Sequence, residues 1–407
     1  MTAPKRILVV DDSAVTRGLI KRVIDAEPDL TVVDTASNGL IAVKKVAEHN
    51  PDLVVLDVEM PKMDGLEALA EIRLTHKTLP VIMFSSLTER GADVTLRALE
   101  IGASDYVTKP VTTNVTESNA YVKAELVSRI RALTAPGAGA GASAGRRPAQ
   151  ARRSVGPARE NPTQSAAAER STDGASEAEL PAPAKAGRNG LRPRTKKRGP
   201  GETIQAVIIG SSTGGPVALE DVVKAWTKPL AVPVFVVQHM PAVFTKTLAD
   251  RLNRKSVATV IEAQEGMKAE AGSVYIAPGG HHMGLVQGQA GDVVVKLSND
   301  PPENSCRPAV DFLFRSAADL YGKRLLAAML TGMGNDGVKG SAKVAAHGCD
   351  IIAQDEATSV VWGMPKAVYD AGLATEVLSL DEIGPRLQRL VEVSNHDSAR
   401  VGAGRAR

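Results

Sequence analysis

Cysteine and aromatic side chains are scarce in this 407-residue chain, which holds two cysteines, Cys306 and Cys349, and only 3% Phe, Trp and Tyr. The two thiols match no metal-binding or redox spacing, so neither a zinc site nor a disulfide framework organises the fold, and both read as ordinary thiols. So few aromatics leave little with which to stack nucleic-acid bases. No apolar run approaches the length of a membrane span. The opening MTAPKRILVVDD turns acidic after too short an apolar stretch for a signal peptide, so the expected location is the cytoplasm, without membrane insertion.

What is present is the composition of a soluble globular protein, 43% hydrophobic and 23% charged, long enough for more than one domain. The net charge of +3 is unevenly spread. Between Ala135 and Pro200 lie 13 Lys/Arg and 5 Asp/Glu, a local +8 that leaves −5 for the remainder. That segment is rich in Ala, Gly, Pro, Ser and Arg and poor in large apolar residues, and it cannot bury enough surface to offset its chain entropy. It reads as a disordered basic linker, 135–201, between domains at 1–134 and 202–392, with a flexible tail at 393–407. Because the basic charge belongs to the linker, the expectation is no nucleic-acid partner.

Both domains alternate short apolar runs with amphipathic helical stretches, the pattern of parallel sheets covered by helices. RILVV, TVVDT, DLVVLD, PVIMFSS and DYVTK are the expected strands of the first. QAVIIG, VPVFVVQ, SVYIAP, DVVVKL, RLLAAMLTG and DIIAQ are those of the second, with an antiparallel hairpin around 273–297. In an open parallel sheet the strand C-terminal ends share one crevice. In the first domain that crevice collects Asp11, Asp12 and Asp57, which repel unless a cation lies among them, and Mg²⁺ suits such oxygen ligands. Ser85 and Lys109 end neighbouring strands, so a hydroxyl and an ammonium join the acids in a cage for a phosphoryl group.

VVDDS, VVLDVEMPKMDG, MFSS and YVTKP together resemble a response-regulator receiver domain over residues 5–134. The resemblance implies a flavodoxin-like five-stranded parallel sheet and makes Asp57 the phosphoacceptor. Asp12, Asp57 and the Glu59 carbonyl would bind Mg²⁺ directly and Asp11 through water. Ser85 and Lys109 would contact the phosphoryl group, and Tyr106 would be the switch aromatic.

In the second domain VIIGSSTGGP offers glycines but no Walker lysine and no G-x-G-x-x-G spacing, so a phosphate loop is disfavoured. Strand, tight turn and helix, with Pro216 in the first helical turn, instead expose a hydroxyl at the strand's end beside free N–H groups. Position alone does not choose between Ser211 and Ser212. His239 ends another strand and Asp336 lies in the loop after a third, so a base and its orienting carboxylate reach the same edge. His281, His282 and His347 read as structural or surface groups.

IGSSTGGP, VVQHMPAVFT, VYIAPG, CRPAVDFLF, LTGMGNDG and GMPKAV closely resemble the catalytic domain of the chemotaxis protein-glutamate methylesterases, the CheB family. The resemblance implies a doubly wound α/β methylesterase domain without a cofactor. It makes Ser212 the nucleophile, His239 the base, Asp336 its partner, and backbone groups at Thr213 and Met333 the oxyanion stabilisers. Methylated chemoreceptors would be the substrate, a chemotaxis histidine kinase the phosphodonor, and glutamine deamidation a second activity. The competing expectation is a non-catalytic output module, for which the basic linker speaks.

Overall fold

The computed structural model describes residues 3–112, 114–135 and 203–405, with side chains placed as far as 396. From residue 136 on, the linker expected at 135–201 lies outside the described residues, as do 406 and 407.

Five strands build the first sheet: β1 (Lys5–Val10), β2 (Leu30–Ala36), β3 (Leu53–Asp57), β4 (Val81–Ser85) and β5 (Asp105–Thr108). Their order is β2-β1-β3-β4-β5 and every pairing is parallel. Around them lie α1 (Ala14–Asp25), α2 (Gly39–His49), α3 (Gly65–Thr75), α4 (Glu89–Ile101), α5 (Val115–Val122) and α6 (Ser128–Thr134), the last two joined by a π-helical turn at Lys123–Val127. The runs LVVLD and VIMFS are buried throughout because helices cover both faces of the sheet, which removes any need for alternation. The order reverses between β1 and β3, and there the acids ending those strands meet.

The second unit contains β6 (Ala206–Ser211), α7 (Gly215–Lys224), β7 (Val234–Gln238), α8 (Ala242–Lys255), β8 (Thr259–Glu262), β9 (Ser273–Ile276), β10 (His282–Gln287) and β11 (Val293–Ser298). It continues with α9 (Val310–Tyr321), β12 (Leu325–Met329), α10 (Val338–Ala346), β13 (Asp350–Gln354), α11 (Met364–Asp370), β14 (Glu376–Leu378) and α12 (Leu380–Arg405). Seven strands pair in parallel in the order β14-β13-β12-β6-β7-β9-β8. The chain starts in the middle with β6, winds one way to β8 and the other way to β14. The crevice of this doubly wound sheet therefore opens between β6 and β12.

The expected α/β class and doubly wound sheets are observed. The antiparallel hairpin is present as β10–β11, but it forms its own two-stranded sheet, and SVYI belongs to the parallel one. β8 and β14 are short edge strands of mixed burial, TVIE and EVL, and carry little apolar signal. α12 continues past Val391 and Ser394, both buried, through the stretch expected as a tail, as far as Arg405.

The two units touch. The Tyr106 ring of β5 stacks on Phe244 of α8, with centroids 4.8 Å apart and planes 5° from parallel. α4 lies along α8, and one apolar cluster includes Leu96, Leu99 and Tyr106 on one side and Phe244, Leu248 and Leu252 on the other.

The Ser394 hydroxyl accepts the buried Ile204 N–H at 3.1 Å, tying the last helix to the entry of β6. Ser394→Ala is expected to destabilise the protein by about 1–3 kcal/mol, the cost of orphaning a buried donor. Equilibrium urea unfolding of the two proteins measures this.

Candidate active site

β6 and β7 pair through Ser211 and Gln238, and Ser212 and His239 each follow by one residue. The two candidates therefore leave adjacent strands side by side. On the other flank β12 pairs with β6, and the loop after β12 carries Asp336. All three residues stand at the switch point of the sheet.

The two serines differ in environment. Ser211 is fully buried and donates to the Gln238 side-chain oxygen at 2.7 Å. The Gln238 amide in turn donates to the Ser212 and His239 carbonyls at 2.9 and 3.2 Å. One buried glutamine thus splices the ends of β6 and β7 and occupies the Ser211 hydroxyl. Ser212 is half-buried, and its hydroxyl has no hydrogen-bond partner among the described residues. The Ser212 N–H donates to Thr331 and its carbonyl accepts from Gly215, which fixes the turn. Gly332 is forced by close approach: a Cβ there would lie 2.8 Å from the Ser212 Cβ and 2.4 Å from the Met364 sulfur.

His239 Nε2 lies 2.7 Å from Asp336 Oδ2. Asp336 is buried, and it also accepts the Val310 N–H (2.6 Å), the Asp311 N–H (3.1 Å) and the Asn304 side-chain amide (3.0 Å). Two of those donors are the first N–H groups of α9, where the helix dipole favours negative charge. Burial opposes the Asp336 charge, yet His239 and the two N–H groups outweigh it and hold its carboxyl below the usual range. Burial also disfavours the His239 cation, but the bond to Asp336 with the contribution of Cys306 lifts the imidazole to about 9. An ionised Asp336 only accepts, so Nε2 carries the proton and Nδ1 holds the lone pair of the neutral ring.

Nδ1 faces Cys306, whose sulfur is 3.5 Å away. Cys306 is therefore no ordinary thiol: it lines the site, half-buried. Among the described residues no hydrogen bond joins Ser212 to His239. The structure forms the His–Asp pair and leaves the serine hydroxyl free at the same edge. Neither the Thr213 nor the Met333 N–H has an acceptor among the described residues. The other histidines differ in kind. His282 is buried against Phe312, bonded to the Pro301 carbonyl and the Ala309 N–H, which is a structural role.

The first unit reaches this site. The Thr213 hydroxyl donates to Asp105 Oδ2 at 2.7 Å, and Arg129 Nε donates to the same oxygen at 3.1 Å. Met333 and Val360 pack, with Val361, onto the cluster that contains Ile20, Val23 and Leu133.

At the other crevice Asp11, Asp12 and Asp57 bring carboxylate oxygens within 4.8 Å of one another. Lys109 Nζ lies 2.8 Å from Asp57 Oδ1 and 3.0 Å from Asp11 Oδ2. Burial, opposed by Lys109 and reinforced by Asp11, raises Asp57 to about 6, and the Glu59 N–H donates to it. Buried Asp57 Oδ2 has no hydrogen-bond partner. An orphaned carboxylate oxygen among acids is what a hard divalent cation would satisfy, so the donor set fits Mg²⁺. Ser85 is buried at the end of β4, where its hydroxyl donates to the Gly91 carbonyl at 3.2 Å. The Glu59 side chain pairs with Arg90 at 3.9 Å.

Comparison with known proteins gives the same two units. The family model for the CheB methylesterase matches residues 207–387, and that for the response regulator receiver domain matches 7–119. The chain is 45% identical to a protein-glutamate methylesterase/protein-glutamine glutaminase 1 of Paramagnetospirillum magneticum, over 95% of this chain and 96% of the relative. It is 45% identical to a protein-glutamate methylesterase/protein-glutamine glutaminase of a Nocardioides species, over 94% of each. Among solved structures, the Thermotoga maritima CheB methylesterase catalytic domain is similar at 45% identity, with a TM-score of 0.45, covering 47% of this chain and 99% of that one.

The Asp336 charge is what favours the imidazolium of His239, so removing it lowers the imidazole's pKa. In Asp336→Asn the His239 ring, still disfavoured as a cation by burial, should titrate well below the wild-type value of about 9. Imidazole chemical shifts followed by NMR across pH 5 to 10 measure the change.

Proposed function

The chain belongs to the CheB methylesterase family, and from that premise we propose that it is a phosphorylation-activated serine esterase that removes methyl groups from glutamates of methyl-accepting chemoreceptors, giving sensory adaptation. Deamidation of receptor glutamines is its second activity. The observation that carries this reading is the His239–Asp336 pair at the β6/β12 switch point, one strand from the half-buried, unbonded hydroxyl of Ser212.

In the proposed reaction Ser212 Oγ attacks the ester carbonyl while His239 Nδ1 takes its proton. Asp336, on Nε2, stabilises the imidazolium. The Thr213 and Met333 N–H groups receive the developing oxyanion, and their lack of other acceptors supports that role. The proton on Nδ1 passes to the departing methoxide, methanol leaves, and water delivered by the same base releases the glutamate and restores Ser212. An amide in place of the ester gives ammonia and the same acyl-enzyme. The raised His239 means that the neutral base is most abundant on the alkaline side.

The proposed division is a receiver over 1–134 and a catalytic domain over 202–392, and we place the protein in the cytoplasm. No described helix is long and apolar enough to cross a membrane. Asp57 takes the phosphoryl group from a chemotaxis histidine kinase. Asp11, Asp12, Asp57 and the Glu59 carbonyl would hold Mg²⁺, which when bound neutralises charge on the phosphoryl oxygens. Lys109 pairs with the group, and Ser85 turns to it from the Gly91 carbonyl. The contacts of Tyr106 with Phe244 and of Asp105 with Thr213 hold the receiver over the site, and phosphorylation shifts the population away from that docked state.

The test is methanol release from methylated receptor membranes. Ser212→Ala should lower the rate by more than about 10³-fold. Ser211→Ala should retain turnover, and an inactive wild type would overturn the reading. Asp57→Asn should keep its basal rate and lose stimulation by a phosphodonor. A chain beginning at Gly201 should exceed the unphosphorylated full chain, measured in the same assay.

A further inference from the structure

Asp336 does not stand alone. Asp311, the second residue of α9, is also buried, and its carboxylate accepts the Gly340 N–H at 2.7 Å. Two carboxylates close together in a low-dielectric setting penalise each other's charge, and the cost falls on whichever is less well bonded. Burial, with the Asp336 charge adding to it and the Gly340 N–H opposing, holds Asp311 above the usual carboxylate range.

One side chain bonds to both acids. Asn304 Nδ2 donates to Asp336 Oδ1 at 3.0 Å and to Asp311 Oδ2 at 3.1 Å. The amide can face them only this way round, since its oxygen would add a third acceptor to two carboxylates. The backbone is bent to deliver it: Asn304 has φ 50° and Ser305 φ 64°, consecutive left-handed residues that are not glycine. Asparagine tolerates that region better than most side chains. The turn is closed by reciprocal backbone bonds between Glu303 and Cys306, and Glu303 is clamped by Arg315 of α9 at 2.6 and 2.9 Å. The same short loop therefore delivers Asn304 to Asp336 and Cys306 to His239.

We infer that Asn304 is a positioning residue of the proposed reaction, its amide bridging Asp336 and Asp311 so that Asp336 stays ionised and aimed at His239. The inference rests on the serine-esterase reading above. Asn304 reaches the acids from the surface, so its loss admits water to them instead of leaving a buried orphan. The expected damage is thus to orientation and proton affinity, not to folding. The titratable and charged groups facing the His239–Asp336 pair are Cys306 on the imidazole, Asp311 and Arg315 from α9, and Glu303 beyond Arg315.

The test uses the full chain with Mg²⁺ and a small acyl phosphate, and reads methanol release against pH. Asn304→Gly keeps the left-handed turn and deletes the amide. It should lower kcat by about tenfold, as loss of a partner that orients a catalytic group does, with KM within about twofold because Asn304 touches no substrate. Asn304→Asp keeps the shape and adds a carboxylate, which favours the imidazolium. The acid limb of kcat/KM should move to higher pH by at least about half a unit. Ser305→Gly, which relaxes the neighbouring φ and keeps the amide, should match wild type. The inference is overturned by an Asn304→Gly kcat within twofold of wild type, by an unmoved limb in Asn304→Asp, or by an equal loss in Ser305→Gly. If Asn304→Gly does not fold, the limb of Asn304→Asp decides. An inactive wild type would sink the esterase reading itself, a result distinct from all of these.

Discussion

Asp336 takes hydrogen bonds from His239, from two N–H groups at the start of α9 and from Asn304, and it gives up its hydration to do so. Burying a carboxylate is expensive unless its charge is fully engaged. Each partner therefore has to come from an element already fixed by the fold. β7 supplies the imidazole, α9 the backbone donors, and the 303–306 turn the amide. The choice of β12 and β6 as central neighbours brings those elements to one point. Loss of the sheet order would leave an uncompensated buried acid, so the chemistry and the topology constrain each other.

The first unit solves an opposite problem with the same geometry. There three carboxylates share a crevice with one ammonium, and Asp57 is left with a raised proton affinity and an orphaned oxygen. Asp336 is saturated and rigid, whereas Asp57 is undersatisfied. An undersatisfied carboxylate beside a lysine can accept a cation and a phosphoryl group, which a saturated one cannot. The two crevices thus suit two tasks: a fixed partner for a base in one, a changeable charge in the other.

Much of this was legible in the sequence because it follows from strand ends. Apolar runs of β length terminated by Asp11, Asp57, Ser85, Lys109, Ser212 and His239 already place those residues at C-terminal edges, and the family motifs separate Ser212 from Ser211. Gln238 supplies the physical reason for that separation, but as a polar residue ending an apolar run it carried no signal of its own. Asn304 and Cys306 were illegible for another reason. They sit in a loop whose contacts depend on consecutive left-handed residues and on α9, some 65 residues beyond His239 in the sequence. The edge strands β8 and β14, short and half-exposed, lack the apolar continuity that marked the central ones.

The docked arrangement carries its own tendency to open. Tyr106 on Phe244, and Leu96 and Leu99 near Leu248 and Leu252, bury apolar surface and favour contact. Asp105 pulls the other way. It is buried in the docked state, and despite Arg129 and the Thr213 hydroxyl its carboxyl remains above the ordinary range, with desolvation the largest cause. Release would part that acid from the Thr213 hydroxyl and free Thr213, whose N–H borders the proposed oxyanion position. An interface held only by apolar contact would be hard to open with a single phosphoryl group on the far side of β5. One that also traps a poorly solvated carboxylate beside Tyr106 is nearer balance, so under the proposed phosphorylation of Asp57 a modest change there would be enough to tip it.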